Sequence, residues 1–136
     1  MSAVSILCAP ATVLIVDDDE FVLESMREAL TPFLPGAVAT AVDGLAALRL
    51  IKASPQQPDV LICDVYMPNM DGLEFLDQLA QMQFKGGVIM VSGQSIEMLD
   101  MACQIATGLG LRVLASFAKP VVQTQLRAAM GLAASD

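Results

Sequence analysis

Short apolar runs alternate with amphipathic stretches along the chain, and this alternation sets the predicted order of elements. The runs are "TVLIV" (12–16), "AVATA" (37–41), "DVLIC" (59–63), "VIMVS" (88–92) and "RVLAS" (112–116). A short continuous apolar run bounded by turn residues reads as a strand buried on both faces. Between the runs, apolar positions recur at helical spacing. From Glu20 to Leu30, Phe21, Val22, Met26, Ala29 and Leu30 supply an apolar face, with Asp19 at the capping position. Pro32 and Pro35-Gly36 end that helix. Further helices are predicted over "LAALRLIKA" (45–53), "LEFLDQLAQM" (73–82), 95–106 and 121–130. Five strands alternating with five helices predict right-handed βαβ crossovers and an α/β domain whose sheet is covered on both sides.

The 136 residues fit one domain. Residues 12–132 are its expected extent, with 1–11 an N-terminal lead and 133–136 a tail. The lead, "MSAVSILCAPA", lacks the basic start of a signal peptide, and none is expected. The apolar fraction is 55% and the mean hydropathy +0.62. No apolar run approaches the ~20 residues of a membrane helix, so the surplus is read as core and no membrane association is expected.

A net charge of −8 argues against nucleic-acid binding, which needs clustered Lys and Arg. The seven basic residues are scattered. With no His, imidazole acid–base chemistry and His-ligated metals are excluded from these residues. Cys8, Cys63 and Cys103 are odd in number and widely spaced, which suits a reducing cytoplasm better than a disulfide framework or a zinc site.

The candidate chemistry lies where the strands end. Ligands of open parallel sheets sit beyond the carboxyl ends of the strands. The first strand leads to Asp17 and Asp18, the third to Asp64, the fourth to Ser92 and the fifth to Lys119. Taken singly, each has an ordinary reading as a cap, a turn residue or a surface charge. Taken together they are three carboxylates, a hydroxyl and an ammonium on one rim. Hard oxygen ligands suit Mg²⁺, with Mn²⁺ the alternative ion. Such an ion offsets the repulsion among the acids and leaves a carboxylate to attack phosphorus. The Lys and the hydroxyl can hold phosphoryl oxygens. Asp19 and Glu20 are assigned to the first helix instead, as cap and first-turn acid.

These residues resemble the receiver domain of two-component response regulators. "LIVDDDEF", "DVLICDVYMPNMDGLEFL", "VIMVSGQ" and "FAKPV" match that family's blocks in order and spacing, over Thr12 to Met130. The resemblance implies a flavodoxin-like, doubly wound five-stranded parallel sheet of order 2-1-3-4-5. It implies that Asp64 takes a phosphoryl group from a histidine kinase or histidine phosphotransfer protein in phosphorelay signalling. Asp17 and Asp18 match the Mg²⁺-binding acids, and Tyr66 would add a backbone carbonyl to the metal. Ser92 matches the switch hydroxyl, and Lys119 the lysine that pairs with the phosphoryl group, followed by a cis bond to Pro120. Such a domain assists only its own phosphotransfer and dephosphorylation and is not an enzyme on an external substrate.

One position departs from the pattern. Many receivers carry Tyr or Phe three residues before the lysine, where this chain has Ser116. Phe117 follows, and alternation in a strand points it to the opposite face. The stretch "TGLGLRVLASFAKPV" is similar to receivers that precede EAL-type cyclic-di-GMP phosphodiesterase domains. The chain is thus either a single-domain receiver or an N-terminal module of a larger regulator.

The predicted fourth helix carries Ile96, Met98, Leu99, Met101 and Ile105, more apolar positions than one narrow stripe needs. With the fifth strand it is expected to form an output or homodimer surface. Three other readings compete. A flavin or nucleotide carrier would want a phosphate-binding loop after the first strand, where "DDDEF" repels phosphate. A phosphatase with an aspartate nucleophile would carry that Asp after the first strand. A phosphorylation-independent docking module would not need Asp17, Asp18, Asp64, Ser92 and Lys119 intact.

Overall fold

The computed structural model describes residues 12–34, 37–66, 72–93 and 95–131. The lead, the tail, Pro35-Gly36 and most of "MPNMDG" therefore lie outside the described residues. Ten elements alternate: β1 (Val13–Val16), α1 (Glu20–Leu30), β2 (Val38–Ala41), α2 (Gly44–Ala53), β3 (Val60–Asp64), α3 (Gly72–Gln81), β4 (Gly87–Ser92), α4 (Ile96–Gly108), β5 (Arg112–Ala118) and α5 (Gln123–Ala129). All strand pairings are parallel, in the order β2-β1-β3-β4-β5. This is the flavodoxin-like arrangement that the sequence blocks imply.

Every residue of β1, β3 and β4 is buried. Alternate side chains feed two separate apolar layers, as strand geometry requires. Leu14, Val16, Leu61, Cys63, Val88 and Met90 pack under α2, α3 and α4 with Leu48, Phe75, Leu79 and Leu99. Val13, Ile15, Val60, Ile62, Ile89 and Val91 pack under α1 and α5 with Leu23, Met26, Leu30 and Leu126. A sheet covered on both faces accounts for the unbroken apolar runs.

β5 extends two residues past the predicted end, to Ala118, because pairing continues from Val91 to Phe117 and from Ser92 to Ala118. Its register against β4 shifts between Val88 and Ile89, so that Val88 faces Val113 but Ile89 faces Ala115. Leu114 is the extra residue. The bulge reverses the facing of all that follows. Phe117 thereby joins the α1/α5 layer, whereas Ser116 meets the Cys103 thiol of α4. The aromatic position beside α4 is thus held by a serine.

The other boundaries move by one or two residues. α4 continues to Gly108, where Leu109 caps it and Gly110 takes φ +92°, a left-handed value natural to glycine. At the amino ends of β1 and β3, Thr12 N–H donates to Asp59 Oδ2 (3.2 Å) and Asp59 N–H to Thr12 Oγ1 (3.1 Å). This pair pins the entry of the chain into the sheet. No helix among the described residues is long and apolar enough to cross a membrane.

Candidate functional site

The order of the sheet reverses at β1 and β3, which opens a crevice beyond their carboxyl ends. Asp17 leaves β1 and Asp64 ends β3 at that point. Asp17 N–H still donates to Ala41 O (3.1 Å), so the ladder with β2 draws the carboxylate into the sheet, where the residue is 1% exposed. Its Oδ1 accepts from Asp19 N–H at 2.9 Å, a local turn that fixes the side chain. Asp18 points outward and is exposed.

Asp19 caps α1, its Oδ1 accepting from Phe21 N–H (2.9 Å) and Val22 N–H (3.4 Å). Asp19→Ala is expected to cost about 1 kcal/mol in denaturant unfolding and to leave divalent-ion binding unchanged. Calorimetric titration with Mg²⁺ beside the unfolding curve checks both parts.

Asp64 is 5% exposed, and its Oδ1 accepts from Tyr66 N–H at 3.0 Å. Val65 and Gly72, at the two ends of the connection from β3 to α3, lie against each other. Val65 N–H bonds Val91 O (2.9 Å), and the Val65 carbonyl occupies the space where a side chain on Gly72 would project. Glycine at the start of α3 is what lets this helix approach the strand end.

Lys119 joins the acids. Its Nζ lies 2.6 Å from Asp17 Oδ2 and 2.8 Å from Asp64 Oδ2. Its backbone N–H donates to Ser92 O (2.9 Å), tying the β5–α5 turn to the end of β4, and the Lys119-Pro120 bond is cis. Ser92 is 2% exposed, one residue beyond Val91, which pairs with Asp64. One carboxylate oxygen from each of Asp17, Asp18 and Asp64 lies within 4.8 Å of the other two. The structure thus brings Asp17, Asp18, Asp64, Ser92 and Lys119 to one rim, with Tyr66 beside them.

Burial pushes the Asp17 carboxyl above the usual carboxylate range, against the opposing hydrogen bonds from Lys119 and Asp19. Burial alone would lower the Lys119 ammonium, but its bonds to Asp17 and Asp64 outweigh that, and it is held above its ordinary value. The lysine therefore stays charged. Three carboxylates against this one ammonium leave two negative charges in a partly dry crevice. A divalent cation matches that excess, and an all-oxygen donor set with one exposed member suits Mg²⁺, which keeps several waters.

The family model described as "Response regulator receiver domain" matches residues 13–130. The chain belongs to this family. Among curated proteins, the receiver is similar to response regulator MprA of Mycobacterium sp. (strain KMS), 46% identical over 70 residues, which are 52% of this chain and 29% of the relative. It is also similar to the probable C4-dicarboxylate response regulator DctR of Bacillus subtilis (strain 168), 38% identical over 81 residues, 59% of this chain and 35% of that protein. The alignments thus span about a third of the length of these relatives. Among solved structures, a response regulator from Colwellia psychrerythraea superposes with a TM-score of 0.73 at 28% identity, covering 88% of this chain and 92% of that one.

Two features of the receiver site escaped sequence reasoning. The backbone donors at Asp19 and Tyr66 fix the orientation of Asp17 and Asp64, yet a backbone amide leaves no trace in residue identity. The bridge from Lys119 to Asp17, 102 positions apart, follows from the sheet order, which the apolar pattern alone does not supply.

Proposed function

We propose that this receiver domain accepts a phosphoryl group on Asp64, with Asp17, Asp18, Asp64 and the backbone carbonyl of Tyr66 holding Mg²⁺. The observation that carries the reading is Lys119, placed 2.6 and 2.8 Å from two nearly buried carboxylates with a third acid in reach. A carboxylate oxygen of Asp64 forms the new bond to phosphorus. The bond from phosphorus to the donor nitrogen breaks, and its electron pair leaves with the imidazole. The 136 residues contain no His, so the phosphohistidine lies outside them, on a histidine kinase or phosphotransfer protein. The Tyr66 N–H holds the nucleophilic carboxylate in position. The Lys119 ammonium pairs with charge on the phosphoryl oxygens, and the Ser92 hydroxyl supplies a further donor. When bound, the dication neutralises charge on the phosphoryl group and orients it. This chemistry makes the domain a signalling switch, not an enzyme on an external substrate.

The test is incubation with acetyl phosphate or phosphoramidate, with Mg²⁺ or with EDTA, followed by intact mass. One phosphoryl gain with Mg²⁺ and none with EDTA are expected; a wild type that never labels sinks the proposal. Asp18→Ala should lose Mg²⁺ binding and with it the labelling, while far-ultraviolet circular dichroism stays unchanged because this side chain is exposed. Retained Mg²⁺-dependent labelling in that variant would remove Asp18 from the metal set.

The output surface is assigned to α4 and β5. Ile96 is 66% exposed and Met101 49%, whereas Leu99, Ala102 and Ala106 are buried. The outward apolar residues are therefore surplus to the core. Light scattering of the unmodified and beryllofluoride-bound protein should show a change in mass or capture of a partner. An unchanged monomer with nothing captured contradicts the assignment.

A further inference from the structure

Helices α2 and α3 lie on the same layer of the sheet and both descend from the rim, since each leaves the carboxyl end of a parallel strand. Each is ten residues long and buries the same positions, the first, fourth, fifth and eighth. These are Gly44, Ala47, Leu48 and Ile51 in α2, and Gly72, Phe75, Leu76 and Leu79 in α3. The two helices therefore present corresponding positions to solvent. At the second position stand Leu45 and Leu73, 41% and 36% exposed. At the sixth stand Arg49 and Asp77, both exposed and of opposite sign.

The separation of charge holds over the whole of each helix. Arg49 and Lys52 are the charged residues of α2, and Glu74 and Asp77 those of α3. Among the described residues, neither Arg49 nor Lys52 lies within ion-pair distance of an acid of its own chain. Asp77 accepts from Gln81 Nε2 at 2.8 Å, a neutral donor that leaves its charge uncompensated. A partner of uniform sign would match one helix and be repelled by the other. A second copy matches both when a twofold axis runs along the groove between α2 and α3, parallel to them. That axis lays α2 of each copy over α3 of the other, pointing the same way, so that sixth position meets sixth position. We propose that α2 and α3 form an isologous interface between two copies of this chain, in which Arg49 of each pairs with the partner's Asp77. Leu45 and Leu73 add apolar area beside these contacts. Over the rest of the surface the net charge of −8 drives copies apart, which restricts association to this face. Both phosphoacceptor rims then lie at one end of the pair, and the contact requires no phosphoryl group.

Sedimentation equilibrium of the full chain, without a phosphoryl donor and at up to about 1 mM, is expected to show monomers in equilibrium with dimers. Arg49→Asp sets acid against acid at both contacts, and Asp77→Arg sets base against base. Each variant alone should dimerise roughly tenfold or more weakly than the wild type. An equimolar mixture of the two variants should regain the dimer, because every contact of the mixed pair again joins an acid to a base. A single chain carrying both substitutions should dimerise as the wild type does. Both sites are exposed, and circular dichroism verifies the fold of each variant. A wild type that stays monomeric throughout this range overturns the proposal. A dimer that survives either reversal overturns it too, as does a mixture that remains monomeric.

Discussion

Asp64→Asn is expected to fold as the wild type does and to gain no phosphoryl group under conditions that label the wild type fully. The amide oxygen can still accept from the Tyr66 N–H, which preserves the turn after β3. Lys119 keeps its partner in Asp17 at 2.6 Å, so the ammonium is not left unpaired in a partly buried place. What disappears is the nucleophile, because an amide oxygen does not form the acyl phosphate. The variant also removes one carboxylate from a crevice that holds three, relieving like-charge repulsion. Intact mass after acetyl phosphate treatment, with circular dichroism on the same sample, measures both halves. Residual labelling of Asp64→Asn at the wild-type level would mean that another carboxylate is the acceptor.

The largest effect on stability is expected at Phe75. Its side chain is fully buried on the inner face of α3, in the layer under α2, α3 and α4. Phe75→Ala removes the ring and leaves a cavity that the surrounding sheet and helices fill only in part. The expected loss is about 3–5 kcal/mol. Against the roughly 5–15 kcal/mol of a typical domain, that is a large share of the total. Denaturant unfolding with an unchanged slope would report it as a shift in midpoint. A loss below about 1 kcal/mol would show that the layer repacks around the vacancy. Asp19→Ala, by contrast, removes only a capping acceptor at an exposed helix start.

Much of this molecule was legible in its residues. The five apolar runs marked the strands because a doubly covered sheet leaves no polar face to interrupt them, and each run fell on a strand. The strand-end positions then put Asp17, Asp18, Asp64, Ser92 and Lys119 on one rim, since parallel strands all end on the same side. The cap at Asp19 was legible for the local reason that its acceptor lies beside the first free amides of α1. Sheet order was not legible from the pattern, and it came instead from the resemblance carried by "CDVYMPNMDG" and "FAKPV".

β5 shows where residue patterns run out. Alternation from Ser116 to Phe117 holds and turns Phe117 to α1 and α5, but alternation counted from Val113 fails, because Leu114 is an extra residue in the register. A bulge is a property of the register between two strands, and nothing in "RVLASFA" alone announces it. The consequence is functional, because the position next to α4, on the side of the Cys103 thiol, then belongs to Ser116. Whatever couples the rim to α4 in this receiver does so without an aromatic ring at that position.

With Mg²⁺ present, Asp64, and not Asp17 or Asp18, is expected to carry the phosphoryl group. The direct measurement is reduction of the phosphorylated wild type with borohydride, which converts an acyl phosphate to the alcohol, followed by peptide mapping. One reduced position, Asp64, found with Mg²⁺ and absent with EDTA, is the predicted result. Reduction at Asp17 or Asp18, or at Asp64 to the same extent without the ion, would contradict it.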